Sequence, residues 1–523
     1  MSSLTPPASA GLGPITRVLV LTAASIGFLF DTYELLMFPV IGSDAIAELR
    51  YHKGVTSLTP EEQVSVREWS GRMLWIAALS GGAFGLLGGW LIDRLGRKTI
   101  MVASILVYSV SPVAAAFSSE LWQLVLFRST TFIGVCVQMV AAVTWLAELF
   151  EDKRTREIAI GATLATASLG GILVTEVYNL IVEASRTSGT LPGLPFPEGH
   201  LVDNVAWRYT LLTGLIPGAA ILLLMPFVPE SQVWKQKKLQ GTLKRPSFRE
   251  LFSPQLRRTT LVTTVLSACG YAAAFGAIQM TPLNIVQGLP DMVAMIPEPV
   301  RAAEARLKET REGTPKHAAA QKELAAARKA AAPELKEAAQ ALKARRGNIQ
   351  RWQELGGLAG RIALAVLLLF VPSRTLLRLF LIPGLVLFPV TYLKLISGEY
   401  YIFAIAIFFC GLLTVAQFSF LSELLPRVYP MHLRGTGGSF ATNFGGRMIG
   451  TMAATLNTEF LSKMFSGPMP IQVASAAAVI GGSAYLIALI ASFLLPHPHE
   501  EVEKQAQVFG DEVLREPRAE TVD

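Results

Sequence analysis

Asp31 and Glu34 lie three residues apart in the apolar run FLFDTYELLMF, a spacing that puts both carboxylates on one face of a helix. An ionisable group inside a long apolar segment faces a cavity or a partner. A carboxylate there can exchange a proton as its solvation and pairing change. Three arginines occur in comparable settings: Arg128 in LFRSTTFIGVCVQ, Arg361 in GGLAGRIALAV and Arg447 in NFGGRMIGT. A guanidinium stays charged when buried and takes a carboxylate through two parallel hydrogen bonds, so these positions suit an anionic ligand or a fixed acid. Tyr33, Gln138, Tyr271, Gln279 and Asn443 add polar groups, each as well explained by interhelical hydrogen bonding as by ligand contact. The chemistry on offer is proton exchange and anion binding. No metal cluster, nucleotide-binding loop or nucleophile constellation accompanies it, so neither an enzyme nor a cofactor is expected, only protons as a coupling ion.

The elements that must position these groups are membrane helices. The chain has 523 residues, 51% hydrophobic against 16% charged, with mean hydropathy +0.44, which is too apolar for an ordinary soluble protein. Apolar segments fall near 18–41, 72–92, 99–117, 121–147, 158–182 and 207–228, then near 259–286, 353–372, 376–396, 400–423, 436–463 and 472–495. At 1.5 Å per residue about twenty residues cross a core of roughly 30 Å, so the pattern predicts an all-α protein of twelve spans. The net charge of +7 sits mainly in loops after even-numbered spans, as the positive-inside rule places it, and no nucleic-acid partner is needed. Cys136, Cys269 and Cys410 all fall in apolar segments and read as packing residues. The first run, beginning near Val18, continues past Asp31 to Val40 and reads as a retained helix, not a cleaved signal. Asp31 then lies about 20 Å from one end of span 1 and Arg128 about 10 Å from the opposite face in span 4, similar depths at which the two could meet. A proton-coupling pair and a static ion pair are both open on these grounds.

Span 2 closes on GGWLIDRLGRK. Its Gly89-x-x-x-Asp93-Arg94-x-Gly96-Arg97-Lys98 pattern resembles the signature loop between helices 2 and 3 of the major facilitator superfamily. The resemblance implies two parallel six-helix bundles that rock about a central site, with this loop part of a cytoplasmic gate. Internal similarity agrees: WLAELF leads to Arg156 and ATASLGG in one half, FLSELL to Arg434 and ATNFGG in the other. Glu148 with Arg154 or Arg156, and Glu423 with Arg434, then resemble the family's inner salt-bridge gate, and Pro229-Glu230-Ser231 resembles the PES motif ending helix 6 in sugar porters. The Asp31/Arg128 pair is similar to the helix 1 aspartate and helix 4 arginine of proton-coupled sugar porters. Asp31-Thr32-Tyr33-Glu34 also resembles the DGxD motif of aromatic acid/proton symporters, without its glycine. Arg447 follows paired glycines as a helix 11 arginine does in those symporters. The paired helix 7 glutamines of sugar porters are missing, since only Gln279 is present.

One segment departs from the family. Residues 298–346 are rich in Ala, Glu, Lys and Arg, which predicts two exposed helices with a turn at Gly313-Thr314-Pro315 and Pro333 bending or restarting the second. Glu304 and Lys308 make a favourably ordered pair on the first. By topology this hairpin projects outside between spans 7 and 8, as a spacer or as the dock of an extracytoplasmic protein partner. The expected organisation is a tail at 1–17, a bundle at 18–230, a basic linker at 231–257 lying against the bilayer, a second bundle at 258–496 and a tail at 497–523. Both tails are expected in the cytoplasm, with the chain in the plasma (inner) membrane. The resemblance implies secondary active transport of a small molecule. Arg361 and Arg447 favour proton-coupled symport of a small organic anion, with Tyr33, Gln138, Gln279 and Asn443 as further contacts. A sugar or polyol symporter and a proton-driven exporter of a hydrophobic compound are the alternatives.

Overall fold

The computed structural model describes residues 13–150, 153–186, 191–201, 204–239, 248–310, 314–368, 370–429 and 433–495. The six spans of the first half are α1 (Pro14–Tyr51), α2 (Pro60–Leu95), α3 (Arg97–Ala116), α4 (Leu121–Leu149), α5 (Lys153–Arg186) and α6 (Ala206–Phe227). The second half opens with α7 (Arg257–Ala294), followed by the inserted α8 (Glu298–Glu309) and α9 (Pro315–Ala330). It continues with α10 (Ala332–Leu367), α11 (Ser373–Leu393), α12 (Tyr400–Val428), α13 over 434–464 and α14 (Met469–Phe493). This is a twelve-helix membrane fold in two bundles.

Among the described residues nine helices are long and apolar enough to cross a membrane. The other three spans, α5, α10 and α13, form the seam: α5 packs on α10, and α13 on α2, each across the junction of the halves. Each carries polar residues that meet the other half, as Glu176 of α5 meets Arg351, Glu354 of α10 lies against Gly171 and Asn443 of α13 against Gly85, and such residues lower their hydropathy. Gly96 separates α2 from α3 at φ +103°, a conformation that favours glycine. Thr59 and Glu62 close a capping box at the start of α2, so that helix begins before its apolar stretch.

The insertion differs from the expected pair of exposed helices. Pro333 starts a helix at its first turn, where a missing N–H costs nothing. That helix, α10, runs unbroken for 36 residues through span 8. Val300, Ala303, Leu307, Ala320, Leu324 and Leu335 bury a small core of their own. The Glu304–Lys308 pair gives way to Glu304–Arg328 at 2.8 Å, because Arg328 crosses from α9 and also donates to the Ser57 and Leu58 carbonyls of the α1–α2 loop at 2.6 and 2.5 Å. Thr314 caps α9 by accepting from the His317 N–H, and residue 313 of the expected turn lies outside the described residues. The tails at 1–12 and 496–523 and the linker stretch 240–247 also lie outside them.

Candidate functional site

Proline 39 shapes the first half of the site. Inside α1 it donates no hydrogen bond and releases the carbonyl four residues back, that of Leu35. In a membrane span such a carbonyl needs a partner, and Arg128 on α4 provides one. Its Nη2 donates to the Leu35 oxygen at 2.9 Å and its Nη1 to the Glu34 backbone oxygen at 2.7 Å, while its guanidinium lies 4.7 Å from the Phe132 ring centroid. Arg128 is thereby fixed beside Glu34, with which it interacts electrostatically. The expected meeting of Arg128 with Asp31 is thus corrected, because the α1 carbonyls hold this arginine.

The cation that acts on Asp31 is Arg447, from the other half. Both are buried. Arg447 lies in a π-helical stretch of α13, Phe440–Gly450, a local widening of the helix frequent at functional sites. Its Nη1 donates to Asn443 Oδ1 at 2.5 Å and its Nη2 reaches Met139 Sδ of α4 at 3.6 Å. Tyr271 of α7 joins it through its side chain. Gln138 stands against Gly27, one turn from Asp31, close enough that a Cβ there would be 2.2 Å from its amide nitrogen. Asp31 Oδ1, both carboxylate oxygens of Glu34, and the amide nitrogen and oxygen of Gln138 are buried without a hydrogen-bond partner among the described residues. Asp31, Asn443 and Arg447 therefore meet across the junction of the halves, with Glu34 against Gly214 and Gln138 against Gly27 beside them in the first half, and with acceptors and donors left to satisfy.

Other expected contacts are placed elsewhere. The Tyr33 hydroxyl is shared with Thr213 of α6 at 2.5 Å, so it ties α1 to α6 inside one bundle. Gln279 is buried in α7 between the π turns Ala274–Ile278 and Thr281–Ile285. Arg361 on α10 acts electrostatically on Glu354, two turns earlier on the same helix. Glu354 is a buried acid that the sequence reading passed over.

Two further clusters mark the two faces of the fold. On the linker face Arg97 grips Glu148 of α4 by two bonds of 3.0 Å. Both oxygens of Glu230 accept the Lys98 N–H at 3.1 Å, capping the start of α3, while Lys98 Nζ donates to the Val228 carbonyl at 2.6 Å. Gly96 lies against Glu230, and Arg94 is exposed. Gly89 and the side chains of Asp93, Arg154, Arg156, Glu423 and Arg434 lie outside what is described. On the hairpin face, among the described residues, ion pairs of arginine or lysine with acids cross between the halves: Arg72–Glu459 at 2.5 Å, Glu68–Lys463 at 2.7 Å, Asp44–Arg346 at 3.0 Å and Glu176–Arg351 at 2.5 Å. None was singled out from sequence: Asp44, Glu68 and Arg72 border spans 1 and 2, and Glu176 lies inside the apolar run 158–182.

Comparison with known proteins agrees with this architecture. The Major Facilitator Superfamily profile matches residues 23–299, and the chain belongs to that family. It is a multi-pass membrane protein. It is 28% identical over 249 residues to the cis,cis-muconate transport protein of Acinetobacter baylyi, covering 46% of this chain and 53% of that one. With the 3-(3-hydroxy-phenyl)propionate transporter of Escherichia coli it shares 26% over 222 residues, 41% of this chain and 48% of that one. With the arabinose-proton symporter of Bacillus subtilis it shares 24% over 301 residues, 51% and 59%. The chain spans about half the length of the curated relatives it matches. In fold it resembles a D-xylose-proton symporter, with a TM-score of 0.57, 14% identity and coverage of 90% of this chain and 97% of that one.

Proposed function

We propose that this protein is a secondary active transporter that carries a small organic anion together with protons by alternating access. The observation that carries the reading is that Asp31, in one half, and Arg447, in the other, are both buried and act on each other electrostatically across the seam. In the empty carrier each compensates the other's buried charge. A substrate carboxylate that takes Arg447 by charge-assisted hydrogen bonds leaves Asp31 uncompensated, and a proton on Asp31 removes that cost. Anion and proton then enter the occluded site together. Arg128, held on the α1 backbone, keeps Glu34 and the carbonyl freed by Pro39 in place beside Asp31. Gln138 and Asn443 stand near enough to contact a bound molecule. The ion pairs of the hairpin face hold the halves together there, and the linker face is read as cytoplasmic in a plasma (inner) membrane.

The carboxylate class is supported by the arginine at the seam and by likeness to a muconate transport protein. The test is reconstitution into vesicles loaded with a pH-sensitive dye, challenged with aromatic carboxylates, aliphatic carboxylates and neutral sugars. Internal acidification driven by a carboxylate supports symport. Acidification by sugars alone overturns the anion reading, and silence from every class overturns proton-coupled uptake.

A further inference from the structure

Trp75 reaches across the seam on which Arg447 sits. It lies on α2, in the first half, and its indole Nε1 donates to the Met448 carbonyl of α13, in the second, at 3.0 Å. Met448 follows Arg447 in the π-helical stretch Phe440–Gly450. The widening is explicit there, because the Thr451 N–H donates to the Gly446 oxygen at 3.1 Å, five residues back. Further toward the linker face α2 presses on the same stretch. A Cβ on Gly82 would be 2.7 Å from Met448 Cγ and 3.5 Å from Arg447 Cβ, and one on Gly85 would be 2.7 Å from Asn443 Oδ1. Arg447 is thus carried by a segment of the second half that is shaped against a helix of the first. Three residues before Trp75, Arg72 pairs with Glu459 on the hairpin face, so Trp75 belongs to the part of this seam that separates when that face opens.

An α-helix turns about 100° per residue, and a π turn holds one residue more than an α turn. If the stretch tightened to an α-helix, its two ends would rotate against each other by about that angle, and Arg447 would lose its place opposite Asp31. A donor from another helix that takes a carbonyl of the widened turn favours the widened form. Resting on the anion reading above, we propose that Trp75 is a positioning residue of the anion site: its indole N–H holds α13 in the widened form that aims Arg447, and does so only while the hairpin face is closed. The closed carrier then holds the anion most tightly, and by linkage the anion draws the hairpin face shut. This separates Trp75 from the ion pairs of that face. They hold the halves together, whereas Trp75 also sets the site.

The two roles come apart when closure is fixed by other means. Arg72→Cys with Glu459→Cys, joined by a short bifunctional thiol reagent, locks the hairpin face shut, and the native Cys136, Cys269 and Cys410 are buried away from the reagent. Binding of benzoate, phenylacetate, succinate and adipate to the locked protein is then measured by calorimetry in detergent. A residue that only clasps the halves has nothing left to do in that background. Trp75→Phe, which keeps a ring but loses the N–H, is expected to weaken binding of the carboxylate that the locked parent takes by about tenfold. Trp75→Gln, which gives up the ring but keeps an N–H donor, is expected to bind it more tightly than Trp75→Phe. Equal affinity in the locked parent and in locked Trp75→Phe overturns this proposal alone, as does weaker binding by Trp75→Gln than by Trp75→Phe. Binding that the lock itself abolishes does so too, since the closed carrier would not be the tight form. A protein that binds none of the four carboxylates, locked or unlocked, removes the anion reading and this proposal together.

Discussion

Asp44 and Glu48 stand one turn apart on α1, both buried and each paired with an arginine, yet they hold different things together. Glu48 binds Arg208 of α6 in its own half, at 2.8 and 3.1 Å, and also accepts from Asn204 and Trp207. Arg208 further donates to the Ala116 and Ser118 carbonyls. Asp44 reaches Arg346 at the start of span 8, in the other half, at 3.0 Å. A fully satisfied buried network rigidifies the element it joins, and a single pair across a seam can be made and broken. The first is a rivet within a bundle, the second a clasp between bundles. The same division separates the two faces: Arg97–Glu148 and Lys98 with Glu230 knit elements of one half, whereas the hairpin-face pairs join the two.

The comparison can be broken at several points. The largest effect is expected from Glu48→Ala, which strands Arg208 in a closed bundle. A loss of about 3–5 kcal/mol should appear as failure to accumulate in the membrane or as a sharp fall in thermal midpoint in detergent. Asp44→Asn strands Arg346 only while the hairpin face is closed, so its cost is relieved by opening. A shift of about 2 kcal/mol, roughly thirtyfold in the ratio of states, should lengthen the distance between spin labels at Arg50 and Arg301, while the thermal midpoint moves little. A midpoint drop as large as that of Glu48→Ala would erase the distinction between rivet and clasp. Glu459→Gln removes a more exposed pair with Arg72, and a displacement of about 0.5 kcal/mol in the same label distance is expected. That displacement should shrink further at high salt.

Much of this was legible in the sequence, and the failures have physical causes. The apolar runs gave the spans, and the signature loop gave the family. That Asp31, Glu34 and Arg447 are buried within spans was legible because charge inside a long apolar run stands out. The Asp31/Arg128 pairing failed because depth along two helices says nothing of rotation about them. Pro39 carried the missing signal, since a proline inside a membrane helix frees a carbonyl for which Arg128 was the available donor. Glu354 was passed over because NIQRWQELGG continues the polar insertion without a break, so its acid did not look intramembrane. For the same reason α10 was divided in two: Pro333 reads as a stop or a start, and only its place at the first turn of a continuous helix decides which. The cross-seam pairs join residues hundreds of positions apart, beyond any local pattern.

The proposed double role of Asp31 is counter-ion of Arg447 and carrier of the coupling proton. It is tested most directly by measuring net proton-driven uptake and substrate exchange side by side in vesicles containing Asp31→Asn. The account predicts that exchange persists, since a loaded carrier still neutralises Arg447, while uphill accumulation is lost. Accumulation at the wild-type level in that variant would contradict it.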